Sequence, residues 1–251
     1  MNLHLNNKFV LVTGSSRGIG FSIARLLQEE GCQIILNGRD PYTLQKAMSK
    51  LPGSFGFLAD LTCREQSTRL ISDVMSVCGR LDGLVCNVGS GRSVPPGKET
   101  LEEWQRVFAL NLWSTTNIVE AATSALVDSK GSIVCISSIC GQEVVPNAPV
   151  TYSAAKSALN AFVRGISRPF GKQGVRINAV APGNILFNDS VWSRKLKEDK
   201  DLVAQILERD VSLSRLGSPT EVAYLVAYLL SPRSGFATGS IWPLDGGQVH
   251  S

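Results

Sequence analysis

The stretch Thr13-Gly14-Ser15-Ser16-Arg17-Gly18-Ile19-Gly20 decides how this chain folds. An apolar run at residues 9–12 precedes it, and apolar residues at helical spacing follow it over residues 19–30. Its three glycines permit a tight turn, a close approach of backbone N–H groups to a diphosphate, and close packing of a helix on a strand. The N-terminus of that helix would face the negative charge. The stretch therefore predicts a dinucleotide-binding turn between the first strand and the first helix.

Short apolar runs rich in β-branched residues recur along the chain and predict buried parallel strands. They are residues 9–12, 33–36, 54–58, 83–86, 132–136, 176–180 and 240–242. Between them lie segments of helical periodicity at 19–30, 41–50, 64–78, 101–126, 152–171 and 219–230. This alternation predicts one α/β domain over residues 1–251, a doubly wound parallel sheet of about seven strands with helices on both faces.

Composition excludes several classes of protein. The 251 residues are 43% hydrophobic, which is enough for one large core. The 25 Lys and Arg and the 21 Asp and Glu residues are scattered rather than grouped, so the chain has no nucleic-acid footprint. No apolar run approaches the roughly 18 residues of a membrane span, and the polar N-terminus does not resemble a signal peptide.

Cysteine and histidine content limits the possible chemistry. The six cysteines lie mostly in or beside apolar segments without a C-x-x-C pair, which favours reduced thiols and a cytoplasmic location. The two histidines, His4 and His250, lie at the ends of the chain. We therefore expect neither a metal site nor a nucleophile activated by histidine. Acid and base catalysis must come from other groups.

The end of the second predicted strand, Leu36-Asn37-Gly38-Arg39, should select the adenosine ribose. A carboxylate there would bond the ribose 2′-hydroxyl and repel a 2′-phosphate, and this stretch contains none. Arg39 and Arg17 can instead pair with a phosphate. We predict NADPH/NADP+ rather than NADH/NAD+ as the cofactor. Asp40 favours the alternative, and two solvated arginines near a helix start would give the same pattern.

A second group of residues, past the middle of the chain, indicates catalysis. Ser137 and Ser138 end a predicted strand, and Tyr152 and Lys156 lie at positions i and i+4 where a predicted helix begins. That spacing places the phenol and the ammonium on one helical face. A neighbouring cation should lower a tyrosine pKa from about 10 toward the working pH. Tyr152 is thus a candidate acid/base for a carbonyl oxygen.

With these motifs in this order, the chain closely resembles the short-chain dehydrogenase/reductase family. The matching motifs, spread over nearly the whole chain, are T-G-x-x-x-G-I-G at 13–20, Asp60-Leu61, Cys86-Asn87-Val88-Gly89 where the family has N-N-A-G, Asn111, Ser138, Tyr152-x-x-x-Lys156 and Asn178-x-x-x-Pro182-Gly183. The resemblance implies a Rossmann-type fold and an oxidoreductase that moves a hydride between a nicotinamide and a carbonyl or secondary alcohol carbon.

The resemblance also implies residue roles. Tyr152 would protonate the carbonyl oxygen, and Lys156 would lower the tyrosine pKa and hold the nicotinamide ribose. Ser138 would orient the substrate oxygen, and Asn111 would hold a water that passes protons to Lys156. The expected cofactor contacts are Gly14, Ser16, Arg17, Gly18, Ile19, Gly20, Arg39, Asp60, Leu61, Asn87, Gly89, Tyr152, Lys156, Pro182, Gly183 and Ile185, with Asp60 and Leu61 at the adenine and Asn87 supporting the turn.

Each catalytic candidate has a simpler interpretation. A tyrosine near a helix start is usually packed, a lysine four residues later is usually solvated, and Asn111 is typical of a kinked helix. Their occurrence together with the glycine turn favours catalysis. Ser137 competes with Ser138, which is preferred because Ile139-Cys140-Gly141 follows it as in relatives.

Three features depart from the family pattern or break the alternation. Ser138 and Tyr152 are 14 positions apart, one more than in most relatives, so a bulge is expected in residues 142–151. After Pro182-Gly183 the family often has a threonine that bonds the carboxamide or diphosphate, whereas this chain has Asn184-Ile185-Leu186-Phe187; the Ile185 backbone is still expected to reach the carboxamide. Residues 188–210 predict one or two amphipathic helices, either a substrate cover or a solvated insertion.

Three loops, 90–98, 142–150 and 184–210, are expected to enclose a small carbonyl or alcohol substrate. Their candidate contacts are Arg92, Gln142, Glu143, Asn147, Asn184, Phe187 and Trp192. The leading class is a 3-oxoacyl thioester or related ketone, because the pattern most resembles that branch of the family; Lys130 and Lys172 would then meet an acidic carrier protein, or simply be solvated. A sugar or polyol dehydrogenase, for instance in surface-polysaccharide synthesis, is the alternative. A cofactor-binding regulator without catalysis is a remote one.

The long predicted helices at 101–126 and 152–171 carry apolar stretches that can pair across a two-fold axis. The family resemblance implies a homotetramer built on those faces and on residues 239–247, with a dimer as the alternative.

Overall fold

The computed structural model describes residues 2–249, so His250 lies outside the described residues. Within that range, seven strands form one parallel sheet in the order β3-β2-β1-β4-β5-β6-β7. The strands are β1 (Phe9–Val12), β2 (Gln33–Gly38), β3 (Phe55–Leu58), β4 (Gly83–Cys86), β5 (Ser132–Ile136), β6 (Arg176–Pro182) and β7 (Ile241–Leu244). The predicted doubly wound sheet is confirmed, and its winding direction reverses between β1 and β4.

Helices connect the strands and cover both faces of the sheet. They are α1 (Gly18–Glu29), α2 (Pro41–Lys50), α3 (Arg64–Cys78), α4 (Leu101–Phe108), α5 (Ser114–Ser129), α6 (Val150–Lys172), α7 (Val191–Glu198), α8 (Lys200–Asp210) and α9 (Pro219–Leu230). The apolar sides of α1, α2 and α9 pack on one face, and those of α3, α5 and α6 on the other. None of the helices in the described part of the chain is long and apolar enough to cross a membrane.

Strand β1 shows how one apolar run serves both cores. Val10 and Val12 belong to the core beneath α1 and α9, whereas Leu11 belongs to the core beneath α3 and α5. Successive strand side chains point to opposite faces, so a strand that is covered on both sides is apolar at every position. This is why the central strands could be predicted as continuous apolar runs.

The prediction of a single helix over residues 101–126 is wrong. A π-helical turn at Ala109–Trp113 separates α4 from α5. The side-chain Nδ2 of Asn111 donates to the carbonyl of Val107 at 3.0 Å and so takes up an acceptor of the preceding helical turn. Insertion of a side chain into the backbone ladder is an ordinary cause of such an irregularity. The apolar spacing continues through it, so periodicity did not reveal it.

Residues 188–210 contain two helices, within the prediction of one or two. They separate at Asp199, whose side chain caps α8 by accepting from the Leu202 N–H at 2.8 Å. The segment before them is joined to the segment after them by a parallel bridge between Ile185 and Gly217. The two helices therefore leave and return beside the carboxyl end of β6.

Candidate active site

The sequence motifs meet at the carboxyl edge of the sheet. The glycine turn follows β1, Asn87 follows β4, Ser138 follows β5, and Pro182-Gly183 ends β6. Sheets of this type bind ligands outside the carboxyl ends of the strands, where the winding direction reverses. That point lies between β1 and β4, so the candidate site is centred there.

Two asparagines hold the glycine turn. Gly14 adopts a φ of 59°, a conformation that favours glycine. Its N–H donates to Oδ1 of Asn37 at 3.3 Å, and its carbonyl accepts from Nδ2 of Asn87 at 3.1 Å. The family resemblance implied that Asn87 supports the turn, but it gave no role to Asn37. A polar side chain near the end of an apolar strand was the available signal.

The start of α1 fits an anionic ligand. Arg17 occupies the N-cap without a capping hydrogen bond from its side chain, and the first turn carries no acidic residue, so its N–H groups remain available to a diphosphate. A Cβ on Gly20 would lie 2.4 Å from Asn87 Nδ2, which explains the glycine there. A Cβ on Gly18 would lie 2.8 Å from Cε2 of Phe187. The Phe187 ring therefore packs against the glycine turn.

At the expected adenosine end, Arg39 and Asp60 form an ion pair at 3.2 Å. Burial opposes ionisation of Asp60, but hydrogen bonds from Thr62 and Arg39 outweigh it and lower the pKa of Asp60. Leu61 is only 2% exposed and packs in the core, so its side chain is not placed to touch an adenine. The implied contact of Asp60 and Leu61 with the adenine stays a prediction, in which Leu61 would take part through its backbone.

Ser138, Tyr152 and Lys156 come together between the end of β5 and the start of α6. The Lys156 side chain is buried, and its Nζ lies 5.9 Å from the centroid of the Tyr152 ring. The ammonium donates to the carbonyl of Ile136 at 2.8 Å. Ser138 is 7% exposed, and its hydroxyl acts to lower the pKa of the nearby Tyr152 phenol.

Burial dominates the protonation of both titratable groups. It raises the pKa of Tyr152 to about 12, and the Ser138 hydroxyl offsets only part of that rise. Burial lowers the pKa of Lys156 to about 8, against an opposing influence of three neighbouring cysteines. The Lys156 ammonium donates to the Ile136 carbonyl and not to the phenol, so burial sets the direction of the Tyr152 pKa shift in this structure. That Lys156 lowers the Tyr152 pKa during the reaction stays a prediction. At neutral pH the phenol is a proton donor.

Asn111 lies beside this group at the centre of the π turn. It is fully buried, and its side chain accepts from the Ser90 N–H at 2.9 Å and donates to the carbonyls of Ser90 and Val107 at 3.2 and 3.0 Å. A Cβ on Gly89 would lie 2.9 Å from Asn111 Oδ1 and 3.3 Å from Lys156 Nζ. Asn111 therefore both interrupts the helix and lies next to the ammonium.

The two candidate serines have different surroundings. Ser137 donates from its hydroxyl to Oδ1 of Asn160 at 2.6 Å, inside the protein. Nδ2 of Asn160 in turn donates to the carbonyl of Gly141 at 2.9 Å. Ser138 instead caps the short turn Ile139–Gly141 and faces Tyr152. Ser137 thus supports the fold, and Ser138 lies in the site.

Ser93 ties the predicted substrate loop at 90–98 to the catalytic helix. Its hydroxyl lies 2.7 Å from Glu103 Oε1 and 2.6 Å from Thr151 Oγ1. Thr151 is fully buried and precedes Tyr152. Arg92 is exposed, and its carbonyl accepts from Arg106 at 3.0 Å. Sequence reasoning missed Ser93 and Thr151, because single hydroxyl side chains carry no distinguishing pattern.

The other substrate candidates fall into different places. Gln142 and Asn184 are partly buried, and each has an unpaired amide atom within the described chain. Asn147 is exposed with a φ of 62°, in the loop where a bulge was expected. Trp192 lies on α7, with a lysine ammonium 4.7 Å from its ring centroid. Phe187 covers the glycine turn and was not expected there.

The Pro182-Gly183 pair joins β6 to β7. The Gly183 N–H donates to the carbonyl of Leu244 at 3.0 Å, and a Cβ on Gly183 would lie 2.7 Å from the Cβ of Asp245. The bridge between Ile185 and Gly217 uses the backbone groups on either side of Ile185. The N–H and carbonyl of Ile185 itself are not part of that bridge.

Proteins of known type match this chain along its length. A family model described as enoyl-(acyl carrier protein) reductase matches residues 14–249. The 3-oxoacyl-(acyl-carrier-protein) reductase FabG of Chlamydia muridarum is 32% identical over 99% of this chain and 100% of its own length. The L-fucose dehydrogenase of Bos taurus is 31% identical over 98% of this chain and 91% of its own length.

A solved structure has the same fold as this chain. The L-sorbose reductase of Gluconobacter frateurii, in complex with NADPH and L-sorbose, superposes with a TM-score of 0.94 over 100% of both chains, at 27% identity. The family model and these relatives cover the chain from the glycine turn to the last strand, the same range over which the motifs and the sheet order were found. This chain belongs to the short-chain dehydrogenase/reductase family of oxidoreductases.

Proposed function

We propose that this chain interconverts a ketone and a secondary alcohol, with NADPH/NADP+ as the hydride carrier and Tyr152 as the proton donor and acceptor. The observation that carries the proposal is the cluster of Ser138, Tyr152 and Lys156, close to the carboxyl end of β5, at the same sheet edge as a glycine turn whose helix start is uncapped. Bound on that turn, the nicotinamide dinucleotide would supply the hydride. The protein's side chains supply the rest.

Tyr152 holds the proton that the carbonyl oxygen receives. Its raised pKa keeps the phenol protonated at neutral pH. Ser138 orients the substrate oxygen and stabilises the phenolate left by proton transfer. The charged Lys156 stabilises that phenolate from nearby, and Asn111 beside it would hold the relay water.

The phenol is the group to test. Tyr152→Phe should lower kcat by about 100- to 10,000-fold while NADPH binds with unchanged affinity, measured by fluorescence titration. Ser138→Ala should also lower kcat, whereas Ser137→Ala should change stability and leave turnover intact. Full activity of Tyr152→Phe would contradict the proposal.

The cofactor preference rests on the adenosine end of the site. Arg39 lies there with a single carboxylate partner, Asp60, and the strand end before it has no acidic residue. The L-sorbose reductase relative binds NADPH. Arg39→Asp should lower kcat/KM for NADPH at least about tenfold and favour NADH. Faster turnover with NADH in the unmodified protein would contradict the preference for NADPH.

Two substrate classes have support from relatives. A 3-oxoacyl thioester, free or bound to a carrier protein, has support from the motif pattern and from the FabG relative. A sugar or polyol has support from the L-fucose dehydrogenase and the L-sorbose reductase. A regulator without catalysis is disfavoured because all three catalytic side chains are present together. The helices α7 and α8 would cover either substrate.

We further propose a homotetramer in the cytoplasm. Leu101, Trp113 and Val150 are 68%, 45% and 44% exposed near the α4 and α6 faces where pairing is expected. Contacts with other copies across two-fold axes would bury them. Six unpaired thiols suit a reducing compartment. Light scattering should give four times the mass of one chain, and a monomer would contradict this.

A further inference from the structure

Three partly buried side-chain amides near the candidate site each have one enclosed atom without a hydrogen-bond partner. Among residues 2–249, Gln142 Oε1, Asn184 Nδ2 and Gln248 Oε1 are enclosed and unpaired. By contrast, the amides of Asn87 and Asn111 are bonded to the backbone around the site. Enclosed polar atoms nearly always have a partner, so the three unpaired amide atoms suit this region to a ligand with hydrogen-bonding groups.

The three amides follow three neighbouring strands. β5, β6 and β7 are adjacent, and Gln142, Asn184 and Gln248 each lie a few residues beyond one of their carboxyl ends. Gln248 Oε1 lies 3.2 Å from the position of a Cβ on Gly183, the neighbour of Asn184. Gln142 directly follows the short turn that Ser138 caps. This group lies on the side of the site away from the adenosine end, which is the side left for substrate.

We infer that Gln142, Asn184 and Gln248 form a subsite for hydroxyl groups of the substrate. The substrate class would then be a polyhydroxylated ketone and its alcohol, that is, a ketose and a polyol. This inference rests on the proposed function, because it takes the reacting carbonyl to lie at Tyr152.

The chemistry of an amide favours hydroxyl groups. Amides carry no charge, so they do not offset the cost of burying a carboxylate or a phosphate. A hydroxyl both donates and accepts, so it can pair with the oxygen of Gln142 or Gln248 and with the NH2 of Asn184, whichever way each amide is oriented. A hydrocarbon chain would leave the amides unpaired, which would disfavour it by about 10- to 100-fold for each.

Two ketones of equal chain length test the subsite. Erythrulose carries hydroxyls on the carbons where butanone carries only hydrogen. With NADPH, the unmodified protein should reduce erythrulose with a kcat/KM at least about 100-fold above that for butanone and for an acetoacetyl thioester. Hydroxyls also make a carbonyl more reactive, so the ratio must be compared between variants.

Gln142→Met, Asn184→Leu and Gln248→Met replace each amide by an apolar group of similar volume. Each should lower the erythrulose-to-butanone ratio about tenfold, through slower turnover of erythrulose. The control is Gln105→Met, which changes an exposed amide on α4 and should leave the ratio unchanged. Thermal melting and NADPH titration verify folding, and the two Gln142 and Gln248 variants suffice if Asn184→Leu does not fold.

The outcomes separate this inference from the function on which it rests. Turnover of butanone or the acetoacetyl thioester at least as fast as that of erythrulose would overturn the subsite and leave carbonyl reduction standing. An unchanged ratio in every folded variant would overturn it as well. If the unmodified protein binds NADPH but reduces no ketone, the proposed function fails, and the subsite fails with it.

Discussion

Among single residues, Tyr152 and Lys156 respond to the same burial in opposite directions. Burial disfavours the charged form of each group, so it raises the pKa of the phenol to about 12 and lowers the pKa of the ammonium to about 8. The phenol therefore stays protonated over the whole neutral range, while the ammonium is close to losing its proton. With the phenol protonated, this pair suits the proton donation proposed for carbonyl reduction.

The lowered pKa of Lys156 makes a prediction about stability. The unfolded chain binds the lysine proton up to a pH near 10.5 and the folded chain only up to about 8, so this group's contribution to stability rises as pH increases between those values. Lys156→Met lacks the contribution. The unfolding free energy of the variant minus that of the unmodified protein should therefore be greatest near pH 7. It should decline by up to about 3 kcal/mol as the pH rises to 10.

Urea unfolding of both proteins at pH 7, 8.5 and 10 measures this difference. The cysteines beside Lys156 interact with the ammonium, so the difference between the two proteins measures Lys156 together with that interaction. A stability difference that stays constant over this range would show that the ammonium is not desolvated.

Gly18 and Phe187 make a second prediction for single residues. Gly18→Ala introduces a side chain at a φ of 60° and also pushes it against the Phe187 ring, whereas Gly53→Ala does so at a φ of 82° with nothing within 4 Å. Both variants should lose about 1–2 kcal/mol from backbone strain. Only Gly18→Ala should lose further unfolding free energy, through the contact with Phe187. It should also bind NADPH at least about tenfold more weakly. Equal effects of the two variants on unfolding and NADPH titration would show that the Phe187 contact is unimportant.

Among the elements, the π turn between α4 and α5 connects a structural irregularity to the site. Asn111→Ala removes three hydrogen bonds and leaves the Ser90 backbone unpaired beside Lys156. We expect a loss of about 2–3 kcal/mol in unfolding free energy and a lower kcat with near-normal NADPH affinity. Ser114→Ala is the control, because its hydroxyl bonds only the Leu110 carbonyl within the same segment. A similar kcat for the two variants would contradict the link between the turn and catalysis.

Sequence patterns located most elements but not their irregularities. Helix α2 and helix α3 have the predicted bounds; Asp40 and Pro41 mark the start of α2, and Gly79 marks the end of α3. β6 runs to Pro182, two residues beyond the predicted run, since its pairing with β7 continues through Ala181 and Pro182 and leaves no local signal. The break at Asn111 also depends on a side-chain bond that composition does not show.

In the whole molecule, the sequence predicted which side chains meet in the candidate site but not their hydrogen-bond partners. The glycine turn, Ser138, Tyr152 and Lys156 could be predicted because their spacing along the chain is characteristic. The tether at Ser93, the support from Asn37 and the unpaired amide of Gln248 could not, since each depends on contacts between segments distant in sequence. Protonation states were missed for the same reason, because desolvation exists only in the folded pocket.

The opposite edge of the sheet allows stability to be separated from catalysis. At the amino ends of β1 and β4, the carboxylate of Asp82 accepts hydrogen bonds from Lys8, Arg80 and the Phe9 N–H, each at 3.0 Å. Burial disfavours the charge, but these bonds outweigh it and lower the pKa of Asp82. The folded state thus gains stability above the ordinary aspartate pKa and loses it as pH falls through the lower folded value.

Asp82→Asn should therefore cost about 2 kcal/mol in unfolding free energy at pH 7, and less as pH falls below about 4, with NADPH affinity and kcat unchanged. Asp73→Asn, which alters an exposed pair with Arg69 at 4.0 Å, should cost less than about 0.5 kcal/mol. The expected separation follows from position, since Asp82 and Tyr152 lie at opposite ends of the parallel strands. A change in NADPH affinity in Asp82→Asn, with the fold intact, would mean that the two edges are coupled.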